Sequence, residues 1–266
     1  MKTNLISALL MGMTLSACVV SQDAIVPSEN YITQKVKVEA FDGISTSTAI
    51  DVVYTQADQT DIEIYAPDNL MPFVKLVNDG GMLKVFFESD EPGNSINIRG
   101  KHHTKVNISA PAIHTLHTLH TSSSGDIVLV NGLKTNGLVS VESSSAGEIE
   151  GSGISCEELV IEASSAGDIE LKNVACSTLQ VEASSAGDVS LSGTCRMAKL
   201  EASSAGEIDA DDLKADTVKA EASSSGDVSC YAVESLEAST SSAGNVYYKG
   251  NPKQIRNHSK GVKKID

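Results

Sequence analysis

The sequence predicts an all-β chain wound as a parallel β-helix, a solenoid of about 20 residues per coil. Three observations predict it: a short motif that returns seven times, in-out alternation between its copies, and a scarcity of aromatic side chains. The motif is Ser-Ser-Ala/Ser-Gly-acid, with Asn replacing the acid in the last copy, and its glycines are Gly125, Gly147, Gly167, Gly187, Gly206, Gly226 and Gly244. Their spacings are 22, 20, 20, 19, 20 and 18 residues, the length of one coil that is stable only when its neighbours cover it.

Within one copy, Leu159, Ile161, Ala163, Ser165, Gly167, Ile169 and Leu171 fall on odd positions, while Glu162, Ser164, Asp168 and Glu170 fall on even ones. That is the period of a strand, with small or apolar side chains inward and polar ones outward. The alternation breaks at Lys172-Asn173, where a turn is expected, and resumes with Val174 and Cys176. Each coil therefore holds two or three short strands that pair in parallel with their copies about 4.8 Å away. The chain of 266 residues has no Trp, four Phe, and no aromatic residue between Phe87 and Tyr231. A narrow solenoid packs small and β-branched residues in layers and needs no aromatic core.

The N-terminus reads as a targeting segment: Lys2, an apolar run from Leu5 to Leu15, then Leu15-Ser16-Ala17-Cys18. The last four residues resemble a bacterial lipobox, which implies lipidation of Cys18; the competing reading is an ordinary cleaved signal peptide with an incidental cysteine. No other stretch reaches the ~20 apolar residues of a membrane-spanning helix, so the mature body is expected to be tethered only by lipid. Val19 rather than Asp follows the cysteine, which by resemblance to Gram-negative lipoproteins favours the outer membrane. The expected organisation is a signal peptide over 1–17, a lipidated linker over 18–34, a β-helix over 35–248 with regular repeats from 120, and a basic cap or tail over 249–266.

Stacking turns sequence columns into ladders. Five residues before each motif glycine stand His120, Glu142, Glu162, Glu182, Glu201, Glu221 and Ser239. Immediately after it stand Asp126, Glu148, Asp168, Asp188, Glu207, Asp227 and Asn245. Like charges about 5 Å apart cost roughly 1 kcal/mol each even in water. Two readings follow: the rows bind divalent cations such as Ca²⁺ or a basic partner, or they are solvated faces that keep a β-rich protein from aggregating. The Ca²⁺-binding nonapeptide of other β-helices is absent. Residues 121–248 carry 21 Asp and Glu against 6 Lys and Arg, so they account for a charge equal to the whole chain's net −15, and the basic tail (Lys249, Lys253, Arg256, Lys260, Lys263, Lys264) offsets the acidic N-terminal part. Such a surface repels nucleic acid and anionic lipid, which excludes both as partners.

Cys156, Cys176 and Cys195 each lie eleven residues before a motif glycine, in a column that continues with Ala215. The alternatives are a ladder of small residues in which Cys replaces Ala, and one disulfide between neighbouring coils. His102-His103 and the run His114, His117, His120 do not converge on a metal, because spacing by three alternates the faces of a strand. No nucleophile elbow, P-loop or dinucleotide fingerprint is present. The three arginines, Arg99, Arg196 and Arg256, fall outside the repeated acidic positions.

Five N-terminal segments also alternate: those beginning at Phe41-Asp42-Gly43-Ile44, Asp51-Val52-Val53-Tyr54, Ile62-Glu63-Ile64-Tyr65, Leu83-Lys84-Val85-Phe86 and Val106-Asn107-Ile108. They are expected to form the opening coils. Together with Gly81-Met82-Leu83, Ser109-Ala110-Pro111 and the Ser-rich Gly-acid repeats, they make residues 36–258 resemble the auto-transporter adhesin "head GIN domain" family of bacterial envelopes. The resemblance implies a single-stranded right-handed β-helix with no catalytic residues. The expected function is thus a non-enzymatic envelope adhesin or binding scaffold for a protein or glycan ligand. The alternative is a β-helix lyase or glycosidase acting on polysaccharide from one irregular groove.

Overall fold

The computed structural model describes residues 24–89, 96–111 and 116–266. Cys18, the leader and His114 lie outside the described residues. Apart from one 3-10 turn at Met71–Phe73, every regular element described is a strand, and the strands form a β-solenoid.

Two long parallel ladders make its principal faces. The first runs through Met82–Phe87, Gly43–Thr46, Thr118–Thr121, Leu138–Ser144 and Glu158–Ser164. It continues along the C-terminal parts of Asp168–Ser184, Asp188–Ala202, Glu207–Ala222 and Asp227–Thr240, and ends on Gln254–Asn257. The second runs through Lys105–Ala110, Asp51–Gln56, Asp126–Leu129 and Glu148–Ser152, continues along the N-terminal parts of the same long strands, and ends on Asn245–Lys249 and Val262–Lys264. A short third side carries Leu133–Lys134, Ile154–Ser155 and the middles of the long strands. Inside, Leu159, Ile161, Ala163, Ile169, Leu171 and Val174 are buried.

Chain order and spatial order part company at the N-terminal end. The coil over 43–56 lies between the strands of 82–110 and those of 118–129. Outside it the chain turns back: Asp61–Pro67 lies antiparallel on Lys105–Ala110, Tyr31–Val36 antiparallel on Asp61–Pro67, and Val74–Asp79 antiparallel on Met82–Phe87. These strands cover the backbone edge that an open end coil would leave bare.

The motif is a corner. Its two central residues take left-handed backbone angles in every copy, as in Ser165 (φ 52°) and Ala166 (φ 64°), and the Gly167 N–H closes the turn on Ser164 O at 2.9 Å. This is the geometry of a type I′ turn, here built without glycine at either central position. Ser165 is accordingly exposed, not inward. Because the turn spans two residues, it preserves the odd-even parity that made the strand seem continuous. Successive corners bond to each other, Ala166 N–H to Ser185 O at 3.3 Å and Ala205 N–H to Ser224 O at 3.2 Å.

The motif glycine serves a different need. A Cβ on Gly187 would stand 2.4 Å from Ala163 O and 2.5 Å from Ala163 C, and one on Gly206 would meet Ala183 at the same distances. The preceding coil's backbone occupies the place of the side chain. An eighth corner, Ser47-Thr48-Ala49-Ile50, has the same paired angles (φ 62° and 58°) but carries Ile50 where the others carry Gly. Ile50 is wholly buried there.

Candidate functional site

The strand register places both carboxylate columns as continuous outward rows. Glu142 pairs with Glu162, then Glu182, Glu201 and Glu221, with His120 before them and Ser239 after. Asp126 pairs with Glu148, then Asp168, Asp188, Glu207 and Asp227, ending on Asn245. The two rows differ in how their charge is met.

The first row is partly compensated. Residues two apart share a strand face, so Lys199 Nζ reaches Glu201 Oε2 at 2.8 Å and Lys219 Nζ reaches Glu221 Oε1 at 2.7 Å. His120 Nδ1 lies 3.2 Å from Glu142 Oε2. The hydrogen bond to Glu221 raises the Lys219 ammonium above its usual range, so it stays charged and does not serve as a proton-abstracting base. Along this row, where the strand bends into the corner, Glu182, Glu201, Glu221, Ser203 and Ser223 line an open groove of about 400 Å³.

The second row has no such help. Among the described residues, none of Asp126, Glu148, Asp168, Asp188, Glu207 and Asp227 is ion-paired; Asp126 Oδ1 accepts the Glu148 backbone N–H at 3.2 Å, and Asp227 Oδ1 accepts from Asn245 Nδ2 at 2.9 Å. Burial pushes the Asp126, Glu148 and Asp188 carboxyls above the ordinary carboxylate range; neighbouring carboxylates add to this, Asp126 and Glu150 for Glu148, and Asp168 for Asp188. The eighth corner extends the row to Asp51, whose carboxyl is raised first by burial and then by Asp126. Asp51 escaped the sequence pattern because Ile50 hides its motif; the signal that remained was Ser-Thr-Ala before an Asp. A parallel row of Glu150, Glu170 and Asp209 lies two residues along the same face, and the pair of rows frames a shallow depression of about 370 Å³ with Asp168, Asp188 and Glu207. Among the described residues no three His, Cys, Asp or Glu side chains are arranged to hold a metal ion. The carboxylates form a row that points outward rather than a cage that closes on one cation.

The remaining sequence candidates separate. Cys176 pairs in register with Cys195 and Cys195 with Ala215, while the Cys156 N–H donates to Ala175 O, which places Cys156 next in the column. All four described cysteines are free thiols, and Cys230 lies off the column, buried in the core. His117 Nδ1 bonds Leu138 O at 3.1 Å. His102 packs edge-on against Phe87, ring centroids 5.4 Å apart, with its Nδ1 buried and without a partner among the described residues, beside a pocket of about 480 Å³ lined also by Ile96 and Ile98. No described helix is long and apolar enough to cross a membrane.

With this geometry in hand, comparison with known proteins is decisive on one point. Residues 40–252 match the family described as "Putative auto-transporter adhesin, head GIN domain". The chain belongs to this family. No curated protein matches it. Among solved structures, a "putative lipid binding protein" from Parabacteroides distasonis ATCC 8503 is 25% identical with a TM-score of 0.81, covering 91% of this chain and 100% of its own. A "putative adhesin" from Bacteroides fragilis NCTC 9343 is 28% identical with a TM-score of 0.68 over the same shares. A third, from Parabacteroides merdae ATCC 43184, is 20% identical with a TM-score of 0.77 over 92% of this chain and 100% of its own, and shares the fold. A family of adhesin-like proteins points to the cell surface or envelope and to the binding of a ligand, not to catalysis.

Proposed function

We propose that this head GIN domain protein is a non-enzymatic envelope lipoprotein, lipidated at Cys18 and held at the outer membrane, that binds a basic partner surface along its second acidic face. One observation carries the reading: of two carboxylate rows in equal register, the first holds ion pairs from Lys199 and Lys219 and has His120 beside Glu142, while the second has no ion pair among the described residues and holds Asp126, Glu148 and Asp188 raised. A face that only needed to be soluble gains nothing from that difference. A cationic partner relieves the repulsion on arrival, so the cost held in the free protein becomes binding energy.

Poly-lysine is a sufficient probe, titrated against the soluble body without its leader at low and moderate salt. Asp168→Asn/Asp188→Asn/Glu207→Gln is expected to weaken binding about tenfold or more, and Glu182→Gln/Glu201→Gln/Glu221→Gln to change it little. Equal losses in both variants would defeat the assignment to the second face. Millimolar Ca²⁺ is expected to leave the unfolding midpoint unchanged, since a ligand that binds only the folded state raises it. A clear rise would replace the basic partner with a cation.

A second reading has its own observation. The pocket of Phe87, Ile96, Ile98 and His102, which Thr48 and Glu88 also line, combines apolar walls with an imidazole nitrogen that has no partner among the described residues, a lining open to an acyl chain with an uncharged polar head, and the Parabacteroides distasonis relative is described as lipid binding. An uncharged fluorescent acyl probe, such as a monoacylglycerol analogue, is then expected to bind, and Ile98→Asp to abolish its signal; failure of the wild-type chain to bind the probe removes this reading.

A further inference from the structure

We propose that Cys176 and Cys195 form a disulfide-bonding site that staples two adjacent coils, with Cys156 as a third thiol able to exchange into it. The inference rests on the envelope reading for its oxidising surroundings, and on geometry for the rest.

The two residues are directly opposed partners in a parallel ladder. Strands in such a ladder lie about 4.8 Å apart, inside the Cα separation that a disulfide accepts. Their side chains already touch: a hydrogen bond between the thiols holds Cys195 down and pushes Cys176 up. The pair sits on the short third side, two residues past the point where the same two strands shift register between Leu171 and Val174. Above and below, the column holds only Cys156 and Ala215, so no bulky side chain intervenes.

A metal is the competing use of stacked thiols, and the column argues against it. Three sulfurs in one row, each a strand spacing from the next, put the outer two about 10 Å apart, too far to share an ion bound at about 2.3 Å. Cys156 is the weakest member: burial pushes its thiol up to about 12, and it senses Cys176 only through charge. Once Cys176–Cys195 has formed, Cys156 can attack the Cys176 sulfur and release Cys195, moving the bond one coil along without net oxidation. The first oxidation does need an acceptor, a low-molecular-weight disulfide such as oxidised glutathione or a thiol-disulfide oxidoreductase. Two S–H bonds are lost and one S–S bond forms; two electrons cleave the acceptor's disulfide into two thiolates, and the two protons pass through solvent to give its two thiols.

The sequence makes the bond easy to read. Trypsin cleaves after Lys172 and Arg196, so Cys176 and Cys195 share the peptide 173–196, while Cys156 lies on 135–172. The full chain is expressed with its leader, quenched with an alkylating agent, and digested without reductant; in parallel, the purified reduced protein is equilibrated with oxidised and reduced glutathione. Expected is peptide 173–196 unalkylated and lighter by two hydrogens. Cys176→Ser is expected to abolish every internal bond, and Cys195→Ser to leave a link between 135–172 and 173–196. The oxidised wild type is expected to unfold roughly 5–10 °C above the reduced protein. Three alkylated thiols, or glutathione adducts without an internal bond, in the purified protein would overturn the proposal. Bond formation in glutathione buffer but not in the exported protein would leave the site standing and count instead against the oxidising envelope setting.

Discussion

Gly187→Ala is expected to cost about 3 kcal/mol or more, because the added methyl has nowhere to go. Its Cβ would stand 2.4 Å from Ala163 O, 2.5 Å from Ala163 C and 2.7 Å from Ser164 N. All three are backbone atoms of the preceding coil, where Ser164 begins the next corner. Moving them means prying one coil from its neighbour, and in a solenoid the interface between neighbours is where stability resides. Two contrasts separate this from a generic loss of flexibility. Gly125→Ala meets nothing closer than 3.1 Å, from Ile50 O and the Thr46 side chain, and is expected to cost far less. Ala166→Gly places glycine at a φ of 64° and is expected to be neutral or to stabilise by up to about 1 kcal/mol, since the left-handed angle strains alanine and not glycine. Urea unfolding of the three variants checks all of this together.

Acidification from neutral pH toward the raised carboxyl values is expected to stabilise the protein, raising its unfolding midpoint by a few degrees before ordinary acid denaturation sets in. Asp51, Asp126, Glu148 and Asp188 have carboxyls raised in the folded state, chiefly by burial. Between the ordinary carboxylate range and those raised values, the folded chain binds more protons than the unfolded one. Stability is therefore present below that window and is lost as pH rises through it. Asp68 and Asp79 act oppositely: hydrogen bonds from Ser28 and Asn30, and from Lys84, hold them low, so their contribution disappears as pH falls below the ordinary range. His102, whose imidazole burial holds low, opposes the gain as pH falls through the ordinary histidine range, and the three sets of groups together place the maximum in mildly acidic solution. Asp168→Asn/Asp188→Asn/Glu207→Gln removes four adjacent repulsions in the same row, each worth about 1 kcal/mol. The triple variant is expected to be more stable than wild type at pH 7.5 and to show a flatter pH profile. A variant that gains stability while losing its ligand separates binding from folding.

Much of this architecture was legible in the sequence, and what was hidden has physical causes. Seven spaced glycines fixed the coils and their register, which in turn placed the carboxylate and thiol columns. The glycines did so for a reason the sequence did not display: they mark close approach between coils, while the left-handed angles fall on Ser and Ala. The eighth corner was hidden because Ile50 fills the space that the other corners deny. The antiparallel cover at the N-terminal end was hidden too, because the alternation in Ile62-Glu63-Ile64 or Val106-Asn107-Ile108 reads the same whichever way the partner strand runs. The difference between the two acidic rows left a trace that a column-by-column reading passes over. Lys199-x-Glu201 and Lys219-x-Glu221 each put a cation beside its carboxylate on one strand face, and nothing comparable flanks Asp168, Asp188 or Glu207.

The most direct test of that difference is carboxyl footprinting. Carbodiimide coupling of an amine to surface carboxylates is followed residue by residue by mass spectrometry, with and without poly-lysine. Protection of Asp168, Asp188 and Glu207, with Glu182, Glu201 and Glu221 labelled as in the free protein, is the expected result. Protection of the Glu182 row instead, or of both rows equally, would contradict the assignment of binding to the uncompensated face.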